Sequence, residues 1–142
     1  PLPCDAIIFS PPYSDVMNKG GGIIRRELSQ EYGRYSEDPR NLGKLPEFRF
    51  NIAMSKIYKL CWDSLSPGGL LTLIIKDTTA GGKLNPLGWQ HVQMMGKLGY
   101  ELAEWHQWAP PGTQFKAMHR AKGSNVVEGE HLIIMRRLPG AA

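Results

Sequence analysis

The feature that most constrains this chain is a short apolar run that stops at two consecutive prolines. Asp5-Ala6-Ile7-Ile8-Phe9 is followed at once by Ser10-Pro11-Pro12. A few apolar, partly β-branched residues bounded so abruptly are typical of a buried parallel strand. Proline has no backbone N–H to pair, so the strand must end there. The run predicts a first strand over residues 5–9 in an α/β fold.

The next hundred residues alternate between helical and strand patterns. Apolar residues recur at helical spacing from Arg49 to Leu65, and Ser66-Pro67-Gly68-Gly69 ends that helix. Leu70–Ile75 predicts a second buried strand. Asn85 is then expected to cap a further helix, with Pro86 in its first turn. This helix carries an apolar stripe predicted to face the core: Trp89, Val92, Met95 and Leu98.

Two strands close the chain. Residues 100–108 and 130–137 form an antiparallel hairpin, joined by a polar loop over 109–129. A second long loop is expected over 14–47, with one short helix around residues 25–32. The sequence thus predicts parallel strands with helices on their faces and a terminal hairpin.

Composition narrows the class of protein. The chain has 142 residues, of which 42% are hydrophobic, so it is expected to form one globular domain. No apolar run approaches the roughly 20 residues of a membrane span, and the start has no basic segment leading into an apolar one. The chain is expected to be cytoplasmic, neither exported nor bound to a membrane.

Cysteine and histidine offer no metal site. Cys4 and Cys61 are too few for a disulfide framework and are expected to be small buried apolar residues. The four histidines lack paired ligand spacing and have no Cys-x-x-Cys beside them. No metal is therefore expected.

The chemistry-bearing motif is Ser10-Pro11-Pro12-Tyr13. It follows a strand at the carboxyl edge of a parallel sheet, where α/β folds bind ligands. The prolines fix the backbone and remove competing donors, so carbonyls beside them can accept hydrogen bonds from an amino group. The Tyr13 ring can stack on a flat heterocycle. An ordinary proline turn is the structural alternative.

Residues 5–13 resemble the catalytic motif of the S-adenosylmethionine-dependent DNA amino-methyltransferases, which carry Asp, Asn or Ser before Pro-Pro-Tyr or Pro-Pro-Phe. The passage from Leu65 to Asp77 resembles the next helix-to-strand segment of that family. Residues 105–111 and 129–137 resemble its final hairpin. The resemblance covers nearly the whole chain except the loop over 14–46. It implies a partial Rossmann-like class I methyltransferase sheet.

The resemblance implies methyl transfer from S-adenosylmethionine to the exocyclic amino group of a flipped DNA base, as in restriction-modification enzymes. Ser before the prolines favours cytosine N4. Adenine N6, RNA or protein-glutamine methylation, and a non-catalytic nucleic-acid-binding or scaffold subunit, remain alternatives. Ser10 and a carbonyl of Pro11 or Pro12 would accept the amino hydrogens, and Tyr13 would stack on the base. Phe9 and Ser10 are the candidate cofactor contacts.

The sequence departs from the family at the cofactor site. The family's Phe-x-Gly-x-Gly turn, and the acidic residue on a following strand, are not found. Gly20-Gly21-Gly22 and Gly81-Gly82 are interpreted as loop glycines. The strand over 5–9 would then have a bare edge, covered by a missing N- or C-terminal half, a second chain or self-association. The isolated chain is expected to bind little S-adenosylmethionine.

The distribution of charge predicts where DNA would bind. The net charge is +4, and basic and acidic residues balance over 14–47. Residues 109–125 contain no acid, so Lys116, Arg120 and Lys122 are predicted to contact phosphates. Trp105 and Trp108 near a strand end are further candidates for stacking on bases. By position alone, Lys76 and Asp77 at the end of the second strand are also candidate site residues.

Overall fold

The chain divides into two compact units. One consists of Pro1–Pro11 with Ile57–Ala142 and the other of Pro12–Lys56. The computed structural model describes residues 2–13, 38–80, 83–109, 111, 114–123, 127 and 129–140. The helix predicted around 25–32, Gly20-Gly21-Gly22 and Gly81-Gly82 lie outside these residues.

The described residues form six strands and three helices. The strands are β1 (Cys4–Phe9), β2 (Leu65–Lys76), β3 (Thr78–Ala80), β4 (Lys83–Asn85), β5 (Tyr100–Trp108) and β6 (Glu130–Arg137). The helices are α1 (Glu47–Ser64), α2 (Leu87–Lys97) and α3 (Gln114–Ala121), with a 3-10 turn at Leu42–Lys44. None of the described helices is long and apolar enough to cross a membrane.

The main sheet is mixed, with the strand order β1-β2-β6-β5. β1 runs parallel to β2, so that Phe9 pairs with Leu73. β6 runs antiparallel to both β2 and β5. The parallel first pair and the antiparallel terminal hairpin are therefore confirmed, with the bounds of β5 and β6 as predicted.

β2 begins five residues earlier than the apolar run suggests. Gly68 has a φ of +83°, a region that favours glycine, and the pairing of β1 with β2 shifts register between Cys4 and Ala6. A Cβ at Gly69 would lie 3.0 Å from the Asp5 carbonyl oxygen. The Pro-Gly-Gly segment is thus an irregular start of the strand, where only glycine permits the close approach of β1.

Two local predictions are wrong, and one element was not predicted. The small hairpin of β3 and β4 was not predicted, and the connection over 109–129 contains the helix α3 instead of being loop throughout. Asn85 does not cap α2: Pro86 occupies the N-cap position, and the Asn85 amide oxygen accepts from Gln90 Nε2 at 2.8 Å. That side chain hydrogen-bonds another side chain rather than the backbone N–H groups of the first turn.

One face of the sheet is packed and the other is open. α2 packs against β2, β5 and β6, and the buried strand residues alternate along β2 and β6, for example Leu71, Leu73 and Ile133. Residues that point the opposite way are exposed, among them Ile8 at 67%. Helices therefore cover one face of the sheet within the described residues. Leu60, an apolar residue within the helical pattern predicted from Arg49 to Leu65, is also exposed.

A buried polar pair joins the two helices on the packed face. The Tyr58 hydroxyl on α1 is hydrogen-bonded to His91 Nδ1 on α2 at 2.5 Å, and both side chains are buried. Burial raises the pKa of Tyr58 and lowers the pKa of His91 to about 4. His91 is therefore neutral in the folded protein at neutral pH.

The neutral His91 makes the fold sensitive to acid. Its pKa is about 6.5 when unfolded and about 4 when folded, so the unfolded state binds more protons between these values. The contribution to stability is full above pH 6.5 and falls by about 3 kcal/mol as the pH drops to 4. Urea unfolding across this pH range measures it. The double variant Tyr58→Phe/His91→Leu should show a shallower slope, and an unchanged slope would contradict the assignment.

Candidate functional site

The Ser-Pro-Pro-Tyr motif directly follows β1. Ser10 is exposed, Pro11 is buried, and Pro12 and Tyr13 are half-buried. Phe9, the last residue of β1, lies 6.3 Å from the Tyr58 ring, centroid to centroid. The strand end is thus fixed by packing on one side of the motif while the Ser10 hydroxyl faces solvent. The corner therefore presents an exposed hydroxyl, which can accept a hydrogen bond, next to a backbone that the prolines fix.

Four strand ends meet at the edge of the sheet that carries this motif. β1 and β2 are parallel, so their carboxyl ends share an edge. Because β6 and β5 are paired in register, Lys76 faces Glu130, and Glu130 faces Trp108. The start of β6 and the end of β5 therefore lie at this edge too, which we call the carboxyl edge.

A hydrogen-bonded chain of three side chains crosses the carboxyl edge. Trp105 Nε1 donates to His131 Nδ1 at 3.1 Å, and His131 Nε2 lies 3.0 Å from Asp77 Oδ2. The indole nitrogen is only a donor, so Nδ1 of the neutral histidine must be unprotonated and Nε2 carries the hydrogen. His131 and Asp77 are 12% and 16% exposed. The contact fixes the tautomer of His131.

Asp77 also anchors the start of α2. Its Oδ1 accepts from the Gly88 backbone N–H at 3.0 Å, which satisfies a donor in the first turn of the helix. A Cβ at Gly88 would lie 2.9 Å from His131 Cδ2 and 3.3 Å from Trp105 Cζ2. Glycine is therefore needed where the helix start meets the side-chain chain.

Trp89 is not a core residue, contrary to the prediction from its apolar stripe. Val92 and Met95 of that stripe are buried, but the Trp89 side chain is 51% exposed. Its ring stacks on Trp105, with centroids 6.4 Å apart and planes inclined by 21°. Trp89 therefore contacts the sheet at Trp105 but keeps half of its surface exposed, which helical spacing alone could not predict.

The predicted phosphate contacts lie on or beside α3. Lys116 is on the helix, whereas Arg120 and Lys122, at its end, are exposed. Because α3 belongs to the connection between β5 and β6, it leaves the sheet at the carboxyl edge. The described residues contain no group of three or more His, Cys, Asp or Glu side chains that could hold a metal ion.

The sequence identified Lys76 and Asp77 by position but missed His131 and the hydrogen bond from Trp105. A histidine at the start of a strand gives little signal, since its partner Asp77 is 54 residues away. Only the strand order places the three side chains together.

No protein-family model matches the chain, and no curated protein matches its sequence. Solved structures do match its fold. TTHA0409 of Thermus thermophilus, named as a putative DNA modification methylase, matches over 97% of this chain and 47% of its own, with 18% identity and a TM-score of 0.56. The same protein complexed with S-adenosyl-L-methionine matches with a TM-score of 0.54, at 18% identity over 96% of this chain and 45% of its own.

PvuII DNA methyltransferase, which is cytosine-N4-specific, matches with a TM-score of 0.59 at 15% identity. The match covers 97% of this chain and 45% of the PvuII enzyme. The chain therefore has a fold similar to that of DNA methyltransferases and spans about half the length of the solved structures it matches.

Proposed function

We propose that this chain carries the base-binding side of a DNA amino-methyltransferase that uses S-adenosylmethionine and acts on cytosine N4. The observation that carries the proposal is the position of Ser10-Pro11-Pro12-Tyr13 directly after β1. This is the carboxyl edge of a parallel strand pair, in a fold similar to that of DNA methyltransferases. A partial Rossmann-like class I sheet is part of the same proposal, supported by the order β1-β2-β6-β5 with β6 antiparallel.

Each residue of the motif has a role in this proposal. An exocyclic amino nitrogen is a poor nucleophile because its lone pair is delocalised into the ring. Ser10 Oγ and a backbone carbonyl of Pro11 or Pro12 would accept the two amino hydrogens and so favour the localised lone pair. Tyr13 would stack on the base after it leaves the duplex. Catalysis would come from positioning and electrostatics, without a covalent intermediate.

S-adenosylmethionine would supply an activated methyl group, but the described residues do not fit its nucleoside part. Asp77, the carboxylate after β2, is already bound by the Gly88 N–H and by His131. Within the described part of the chain, neither β1 nor β2 leads into a glycine-rich turn. We therefore assign no nucleoside-binding residue here; Phe9 and Ser10 remain candidate contacts for the rest of the cofactor.

The groups that hold the cofactor would join the sheet at β1. In the described sheet β1 is an edge strand that pairs only with β2, so its second edge is open to another strand. A further part of the protein or a second chain would supply that strand. DNA would approach the carboxyl edge, with Lys116, Arg120 and Lys122 contacting phosphates.

The proposal is tested by the modified bases found in cells that express the whole natural protein. Mass spectrometry of digested DNA should reveal N4-methylcytosine above the level in cells without the protein. Tyr13→Ala should reduce it about tenfold or more through lost stacking, whereas Tyr13→Phe, which keeps the ring, should retain most of it.

Other outcomes reassign the function. If the product were N6-methyladenine, or methyl groups on RNA or protein glutamine, the role of the Ser-Pro-Pro-Tyr corner would stand and only the substrate would be reassigned. No Tyr13-dependent methyl group in any of these would contradict methyl transfer and favour a non-catalytic subunit.

A further inference from the structure

The Trp89 ring is half exposed to solvent near the carboxyl edge. The side chain is 51% exposed although the buried Val92 and Met95 follow it on the same stripe of α2. Its inner face is stacked on Trp105, with planes inclined by 21°. One face of a large aromatic ring is thus supported by protein, and among the described residues no second ring lies against the other face, so a further flat ring can stack there.

The supporting ring is held in place by hydrogen bonds. Trp105 Nε1 donates to His131 Nδ1 at 3.1 Å, and the two rings meet edge to face at 5.3 Å. His131 is held in turn by Asp77 at 3.0 Å. Because Trp105 is fixed at its ring nitrogen and by ring contacts, the stack with Trp89 exists before any ligand arrives. Such preorganisation reduces the entropy lost on binding.

The backbone that carries Trp89 is fixed as well. The preceding residue, Gly88, donates its N–H to Asp77 Oδ1 at 3.0 Å. Its missing side chain lets the helix start approach His131 to within contact distance. Asp77 therefore holds both His131, beneath the supporting ring, and the first turn of the helix that bears Trp89. The two indoles are positioned by one carboxylate.

We propose that the outer face of Trp89 is a stacking site for an unpaired nucleobase of DNA, distinct from the Tyr13 ring. A single aromatic face accepts any base, since every base has a π-face. Charge favours nucleic acid over a protein partner: the connection leaving this edge carries exposed Arg120 and Lys122, and residues 109–125 contain no acid. The choice of DNA as ligand rests on the proposed function.

Binding of an oligothymidylate to the whole protein, without S-adenosylmethionine, tests this site. Fluorescence anisotropy of a labelled oligomer should give about tenfold weaker binding for Trp89→Ala, while Trp89→Phe should stay near the unmodified protein. An oligomer of abasic nucleotides with the same number of phosphates should bind more weakly than the oligothymidylate, and Trp89→Ala should not weaken it further. If Trp89→Ala does not weaken binding, the stacking site is refuted but the proposed methyl transfer is not, because this experiment measures binding alone.

Trp108 is the matched control. It is 62% exposed at the same edge but has no stacked ring among the described residues. Trp108→Ala should weaken binding less than Trp89→Ala, and equal losses would overturn the assignment of the platform. Unchanged binding of Trp89→Ala, or no binding of the oligothymidylate at all, would also overturn it. The assignment would also be overturned if S-adenosylmethionine alone quenched tryptophan fluorescence and this quenching disappeared in Trp89→Ala.

Discussion

Replacing Ser10 with alanine is expected to lower the rate of methyl transfer to DNA about 100-fold, the scale of losing one preorganised polar contact to a reacting group. The Ser10 side chain is exposed at the end of β1, and the neighbouring Pro11 is buried. The substitution should therefore remove one acceptor for the amino hydrogens without disturbing the strand end. Transfer of a radiolabelled methyl group to DNA under single-turnover conditions measures the loss.

Two variants make this result specific. Ser10→Asp keeps an acceptor oxygen and should retain more transfer than Ser10→Ala. Ser64→Ala should leave transfer unchanged, because the Ser64 hydroxyl donates to the Leu60 carbonyl within α1. If Ser10→Ala transferred methyl groups as fast as the unmodified protein, Ser10 would have no part in the reaction.

Replacing Arg137 with alanine is expected to lower the free energy of unfolding by about 3 kcal/mol, mainly through two lost charge-assisted hydrogen bonds. Arg137 Nη1 donates to the Trp62 carbonyl, in the last turn of α1, at 2.8 Å and also to the Leu65 carbonyl at the start of β2. Its guanidinium lies over the Trp62 ring at 5.2 Å. A cation at a helix C-terminus also interacts favourably with the helix dipole. The midpoint of thermal unfolding should fall by about 10 °C.

Arg136→Ala is the matched control for Arg137. Arg136 is adjacent on β6 but exposed, so its loss should change stability by less than about 0.5 kcal/mol. Arg137→Lys should fall between the two, since a lysine keeps the charge but lacks the planar fork that stacks on Trp62. Equal stability of the Arg136 and Arg137 variants would show that the contacts at the end of α1 contribute nothing.

The sequence was sufficient to predict the strands in which one hydrophobic periodicity dominates. The apolar run before Ser10 predicted β1 to within one residue, and residues 100–108 and 130–137 are β5 and β6 as predicted. The two apolar runs pair in parallel as predicted, but the burial expected for the first of them is wrong, since no residue of β1 is buried and Ile8 is 67% exposed. The bounds of the Ser-Pro-Pro-Tyr corner were readable because proline acts on its own backbone and needs no distant partner.

Prediction from the sequence failed where the structure depends on contacts between residues far apart in the chain. Thr78–Ala80 is a strand only because Lys83–Asn85 pairs with it, and three residues are too few for a period. Trp89 has the spacing of a core residue, but its ring stacks on Trp105 and stays 51% exposed, a contact that helical periodicity does not encode. The contact between Asp77 and His131 joins residues 54 apart, and it depends on strand order, which no local pattern contains.

The position of the transferred methyl group tests the central claim most directly. The whole natural protein is incubated with trideuteromethyl S-adenosylmethionine and duplex DNA, and the digested nucleosides are resolved by mass spectrometry. The proposed corner predicts the label on an exocyclic amino nitrogen, as N4-methylcytosine, and none on DNA whose cytosines lack that amino group. Label at carbon 5 of cytosine, or label on a pyrimidine that lacks the amino group, would contradict the claim that Ser10-Pro11-Pro12-Tyr13 binds an amino group for methylation.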